Sequence, residues 1–189
     1  MAALRPMAAV AVAALLVPAC TGEIMTSQLH RPNSDGFFRY SAGRGEMLAV
    51  IVGNPFPVSK DVLDQAVTDA MLGNHNGPMT RFSTDPGPAA DRNQRVVVAF
   101  DTPGNMHGRT LCGDPAAIPT TAPESSKTRA SVAFCVESDL YSEVKIHIPA
   151  VGSPADPRFR GMIASAMWEL IPSRDPLSDN NNMCFGPGC

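Results

Sequence analysis

The sequence predicts an α+β fold, a two-layer sandwich in which a roughly four-stranded, mostly antiparallel sheet carries two helices on one face. Three observations predict it. Short β-branched runs recur between residues 46 and 148, amphipathic helical stripes follow Ser59 and Asp156, and those stripes need an apolar surface that a sheet supplies. The element order is β-α-β-β-β-α, expected as one domain over residues 44–171 of the 189-residue chain.

The first strand starts at Glu46, where "MLAVIVG" forms an unbroken apolar run closed by Gly53, the pattern of a strand covered on both faces. "NPFPV" then bends the chain. Ser59 is placed to cap a helix, with Val58 and Leu63 spaced as a hydrophobic staple. Val62, Ala66, Val67, Ala70 and Met71 form its apolar stripe, Asp61, Asp64, Thr68 and Asp69 take the other side, and Gly73 ends it. Residues 73–93 are punctuated by Gly, Pro, Asn and Asp and read as a long surface connection.

Three more strands follow: "RVVVAFD" at 95–101, "ASVAFCVES" at 130–138 and "LYSEVKIHI" at 140–148. The last alternates, with Val144, Ile146 and Ile148 on one face and Lys145 and His147 on the other, and its short link to its predecessor implies antiparallel pairing. The second helix has Asp156 as its cap and Pro157 at its first position. Phe159, Met162, Ile163, Ala166, Met167 and Leu170 recur at helical spacing, and Pro172 stops the run. Residues 172–189 have little to bury and are expected to form a loose tail.

Ahead of the domain, Arg5 precedes "MAAVAVAALLV", an apolar run of eleven residues. A bilayer-spanning helix needs about 20, so residues 1–19 read as a signal peptide. "VPAC" at 17–20 resembles the lipobox of bacterial lipoproteins, with Val17, Ala19 and Cys20 matching by position. The resemblance implies cleavage before Cys20, alkylation of its sulfur by a diacylglyceryl group, fatty acylation of the palmitate kind, and residence on the envelope facing the periplasm. Thr21 stands where an aspartate commonly retains such proteins at the inner membrane, which makes the outer membrane the expected location. Residues 20–43 are polar at their start, without a clear apolar period, and are expected to act as the lipidated tether.

Net charge is −3 at pH 7 with Lys and Arg scattered, which lacks the footprint of a nucleic-acid binder. Beyond Cys20 the cysteines are Cys112, Cys135, Cys184 and Cys189, an even number in an exported chain, with three connectivities possible. The favoured pairing is Cys112 with Cys135, across a proline-rich connection, and Cys184 with Cys189, across "FGPG". A Cys112 to Cys184 link would instead dock the tail on the domain.

No catalytic, cofactor-binding or metal site is expected. The turn "VGNPFPVSK" joins strand to helix as phosphate loops do, but it keeps one glycine, and two prolines remove donors. His30, His75, His107 and His147 have no partner at metal-ligand spacing. Met71, His75 and Met79 lie four apart, a soft ligand set that would suit copper, although Met71 already serves the helix stripe. There is no G-x-S-x-G elbow, and no pair of carboxylates is brought together. Trp168 falls at the edge of its helix stripe, either covering the sheet rim or serving as a binding anchor. The expected role is therefore a lipid-anchored envelope protein with a non-catalytic binding or assembly role, its membrane contact through Cys20 and its protein partner unspecified. The alternatives are a periplasmic hydrolase with its site in loops 73–93 and 102–128, in which His75 or His107 meets a carboxylate or serine, and an envelope copper-binding protein.

Overall fold

The computed structural model describes residues 24–171. They run β1 (Ile24–His30), α1 (Ser34–Ala42), β2 (Glu46–Val52), α2 (Lys60–Met71), β3 (Arg81–Ser83), β4 (Gln94–Phe100), β5 (Lys127–Val136), β6 (Asp139–Pro149) and α3 (Pro157–Leu170), with 3-10 turns at Gly108–Cys112 and Pro115–Ala117. The class is α+β, but among the described residues one sheet of six strands replaces the expected four, in the order β1-β6-β5-β4-β2-β3, and three helices replace two. Its antiparallel pairs are β1 with β6, β6 with β5 and β5 with β4, whereas β2 runs parallel to both β4 and β3. The parallel part follows from α2, which carries the chain back along the sheet so that β3 and β4 start from the same end as β2.

Part of the segment expected to be a tether is folded. β1 pairs with β6 along its length, and α1 buries Phe38 and Ala42 in the main core. Their apolar content is sparse because β1 lies at the sheet edge with Met25 and Leu29 exposed, and α1 anchors itself mainly through Phe38, edge-on to Phe134 of β5 at 5.5 Å. β3 is likewise short, placing only Phe82 in the core out of a connection read as wholly loop.

The core lies between the helices and one sheet face. Met47, Ala49 and Ile51 of β2, Val96, Val98 and Phe100 of β4, Ala130, Val132 and Phe134 of β5, and Val144, Ile146 and Ile148 of β6 meet Leu63, Val67 and Met71 of α2 and the whole expected stripe of α3. Each large side chain so buried contributes about 1.5–3 kcal/mol. The α2 stripe is turned from the expected one: Val62 is exposed, and Leu63 takes its place inside. Asp156 caps α3, its carboxylate accepting from the backbone N–H of Arg158 at 2.9 Å. Ser59 occupies the N-cap position of α2 without a side-chain capping bond. Gly53 ends β2 at φ 78°, and a Cβ there would stand 2.8 Å from the Phe100 carbonyl oxygen, so this turn needs glycine.

Cys112 and Cys135 form a disulfide, with α-carbons 5.4 Å apart. Cys20, Cys184 and Cys189, with the expected signal peptide at 1–19 and the expected tail at 172–189, lie outside the described residues. Among the described residues no helix is long and apolar enough to cross a membrane.

Candidate functional site

The second face of the sheet, away from the helices, divides into an apolar half and a basic half. Strand alternation sets this up. With Ala130, Val132 and Phe134 of β5 and Val144, Ile146 and Ile148 of β6 committed to the core, the intervening side chains project to the other face. Over β4, the far end of β5 and the start of β6 that face is apolar: Val97, Ala99, Ala133, Cys135 and Leu140 pack under Met106, Leu111, Cys112 and Ile118 of the β4–β5 loop. The disulfide fixes this cover, and Arg95 of β4 donates to the backbone oxygens of Cys112, Gly113 and Glu137.

Toward β1 the cover stops. There a cleft of about 240 Å³ is lined chiefly by Lys127, Arg129 and Ser131 of β5, Lys145 and His147 of β6, and Thr102 from the start of the loop, with Thr26 of β1 at its margin. Register brings them together, since Arg129 lies opposite His147 and Ser131 opposite Lys145. The Thr102 and Ser131 hydroxyls, both buried, are 3.0 Å apart on its floor. Thr26 donates to the Lys145 carbonyl at 3.1 Å, tying the edge strand to the cleft.

The cations are only loosely neutralised. Lys127 Nζ and Arg129 Nη1 share one carboxylate, Glu124, at 3.4 and 3.6 Å. Ser126 donates to that carboxylate, and this bond, with the two cations, holds Glu124 below its ordinary range. Arg129 Nε is buried with no acceptor among the described residues. Lys145 Nζ donates to the Met106 carbonyl at 2.7 Å and stands 3.6 Å from Glu143 Oε1. Burial pushes the Glu143 carboxyl up, against the opposing charges of Lys145 and His107. Asp101, at φ 50°, is also buried and pushed up by burial, with Arg129 opposing and Glu124 adding to the rise. An arrangement of fixed cations and hydroxyls around a small recess can hold an oxyanion by charge-assisted hydrogen bonds.

The residues singled out in the sequence are dispersed. Met71 is fully buried on α2, Met79 is 73% exposed, and the His75 ring lies edge-on between Phe38 at 5.2 Å and Phe82 at 5.4 Å. Burial pulls the His75 ring below the ordinary imidazole range, with the Asn76 backbone opposing the shift, and neither ring nitrogen makes a well-formed hydrogen bond among the described residues. His30 Nδ1 is 2.9 Å from the hydroxyl of Ser142, which itself donates to the Leu170 carbonyl in the interior. His107 lies within electrostatic reach of Glu143. Of the four histidines only His147 lines the basic cleft. Trp168 is 45% exposed and borders a groove with Met25, Ile146 and Glu169 between β1 and α3.

A larger concavity, about 610 Å³ between α2 and β3, is acidic. Four of its carboxylates have partners within the fold: Glu46 accepts from Arg81 and from the Gly87 backbone, Asp64 from Lys60, Asp69 from Gln65 and Asp85 from Arg92. The basic cleft carries a signal that is present in the sequence but faint. Lys127, Arg129, Lys145 and His147 stand at alternate positions of two strands, and only the register of β5 on β6 turns that alternation into one cluster.

No family model and no curated protein matches the chain. Among solved structures it is similar to the PelC dodecamer from Paraburkholderia phytofirmans in space group P6, with 11% identity and a TM-score of 0.40 over 81% of this chain and 99% of that one. A single-site variant of the same dodecamer in space group C2 matches with 11% identity and a TM-score of 0.41, over 79% of this chain and 98% of that one.

Proposed function

We propose that the chain is a lipid-anchored bacterial envelope protein, held through acylated Cys20 and facing the periplasm, at the outer membrane rather than the inner. Its domain acts by binding or assembly and not by catalysis. The "VPAC" motif after a short apolar run supports the anchor, and the Cys112–Cys135 disulfide is in keeping with an oxidising compartment.

The observation that carries the binding role is the edge of β1, which no other described strand covers. Among the described residues that strand pairs with β6 alone, and Met25 at 37%, Leu29 at 43% and Trp168 of α3 at 45% exposure stand along it. An open strand edge offers unpaired backbone donors and acceptors, and a tryptophan beside it provides the kind of side chain that dominates binding energy at interfaces. The edge begins four residues after Cys20. Four residues span at most about 14 Å when extended, so the anchored protein would present this edge close to the membrane surface.

A photo-crosslinking residue placed at Trp168 in native membranes tests the role. It is expected to capture a protein, a second copy included, whereas the same residue at Thr121 on the loop is not. No adduct at Trp168, or equal adducts at both positions, would contradict it.

The hydrolase remains the second reading, on one observation: His107 stands near the buried Glu143 and its Lys145 partner, at the loop where that reading places its site.

A further inference from the structure

We infer that the basic cleft over β5 and β6 is a binding site for a phosphate group. Three independent features point to it. Lys127, Arg129, Lys145 and His147 converge on one recess, whose lining includes no carboxylate. Arg129 Nε is a buried donor with no acceptor among the described residues, which is costly unless something outside the fold supplies one. The Thr102 and Ser131 hydroxyls form a polar floor, and each can turn to donate upward when an acceptor arrives.

Size and chemistry agree on the ligand. About 240 Å³ admits a phosphate with a small substituent and not an extended polymer. A guanidinium fork and two ammonium groups match tetrahedral oxyanions, with arginine giving paired hydrogen bonds and the lysines acting as point charges. Glu124, 3.4 Å from Lys127 and 3.6 Å from Arg129, lies outside the lining and is 36% exposed, so it can swing away when a stronger acceptor enters. Glu143 stands 3.6 Å from Lys145, and burial pushes its carboxyl and that of Asp101 toward the neutral form, which weakens their competition for Lys145 and Arg129.

The phosphate has two possible sources, a free small molecule or a lipid headgroup. The second rests on the proposed anchor. Thr26, at the margin of the cleft, lies six residues after Cys20, within about 20 Å of an acylated cysteine by chain length.

The test is calorimetric titration of the full chain in a non-ionic detergent, with inorganic phosphate in one arm and phosphatidylglycerol in mixed micelles in the other. Saturable binding is expected in at least one arm. Arg129→Gln should weaken it by about tenfold or more, Arg129→Lys by less, because charge remains without the fork. Glu124→Gln should tighten it by removing the competing carboxylate, and Lys60→Gln on the helical face should leave it unchanged. Binding to phosphate alone assigns a free ligand, and binding to phosphatidylglycerol alone assigns a headgroup. No saturation in either arm up to about 10 mM overturns the site, as does unchanged affinity in Arg129→Gln with a native circular dichroism spectrum. None of these results depends on whether Cys20 carries a lipid, which acyl labelling reads separately.

Discussion

Cys112 is bonded to Cys135 with their α-carbons 5.4 Å apart, so one covalent link holds the cover of the apolar half-face onto the middle of the sheet. Around it Leu111, Ile118 and Leu140 close over Val97 and Ala133, while the basic half of the same face stays open. The division between a sealed half and an open half is thus tied to a single bond.

Removing that bond loosens the cover. Cys112→Ala with Cys135→Ala is expected to cost about 2–5 kcal/mol, because the linked residues close a 23-residue separation that the unfolded chain would otherwise sample freely. Denaturant titration of the oxidised wild type against the double variant measures this. Cleavage within residues 102–126 should become the first proteolytic event. A midpoint equal to that of the wild type would show that Arg95 and the apolar contacts hold the loop unaided.

Gly108 is required by its closeness to Glu143. A Cβ at this position would collide with the Glu143 carboxylate and stand 2.8 Å from Leu140 Cδ2. Gly108→Ala is expected to destabilise the fold by about 1–3 kcal/mol, the usual cost of overpacking. Most of that loss should disappear when Glu143 is also shortened to Ala, a coupling that a double-mutant cycle of unfolding free energies reads directly. Additive effects would locate the strain elsewhere.

His75 makes the fold acid-sensitive. Its folded-state pKa is lowered by burial between Phe38 and Phe82, so the unfolded chain takes up a proton first as pH falls. Its share of stability is complete above the unfolded value of about 6.5 and is lost progressively below it, down through the lower folded value. Glu143 and Asp101, with raised values, act with the opposite sign, favouring the fold as pH falls. The comparison of wild type with His75→Phe isolates the histidine. The variant should hold its melting temperature better than the wild type between pH 6.5 and 5. Parallel curves would refute the assignment.

The elements that bury most were legible and those that bury least were not. α3 shows its six-residue stripe, β2 and β4 to β6 show β-branched runs, and the Cys112–Cys135 bond is the pairing favoured among three from cysteine parity and the expected export. β1, α1 and β3 escape because each is held by few side chains: an edge strand with exposed Met25 and Leu29, a helix fixed mainly by Phe38, and a three-residue strand fixed by Phe82. Their stability comes from pairing and position, which local periodicity does not record. The basic cleft escaped for a related reason. Polar alternation on β5 and β6 has the same appearance whether it faces bulk water or converges on a recess, and the pairing register and the limit of the loop cover decide which.

The central claim is the lipid anchor at Cys20, because it sets the compartment, the nearness of the β1 edge to the membrane and the access of the basic cleft to lipid. The most direct measurement is metabolic labelling with a palmitate analogue in a bacterial host, comparing the wild type with Cys20→Ala. The account predicts label on the wild-type chain, none on the variant, and release of the variant from the outer-membrane fraction. Absence of label from the wild type, or equal label on both, would contradict it.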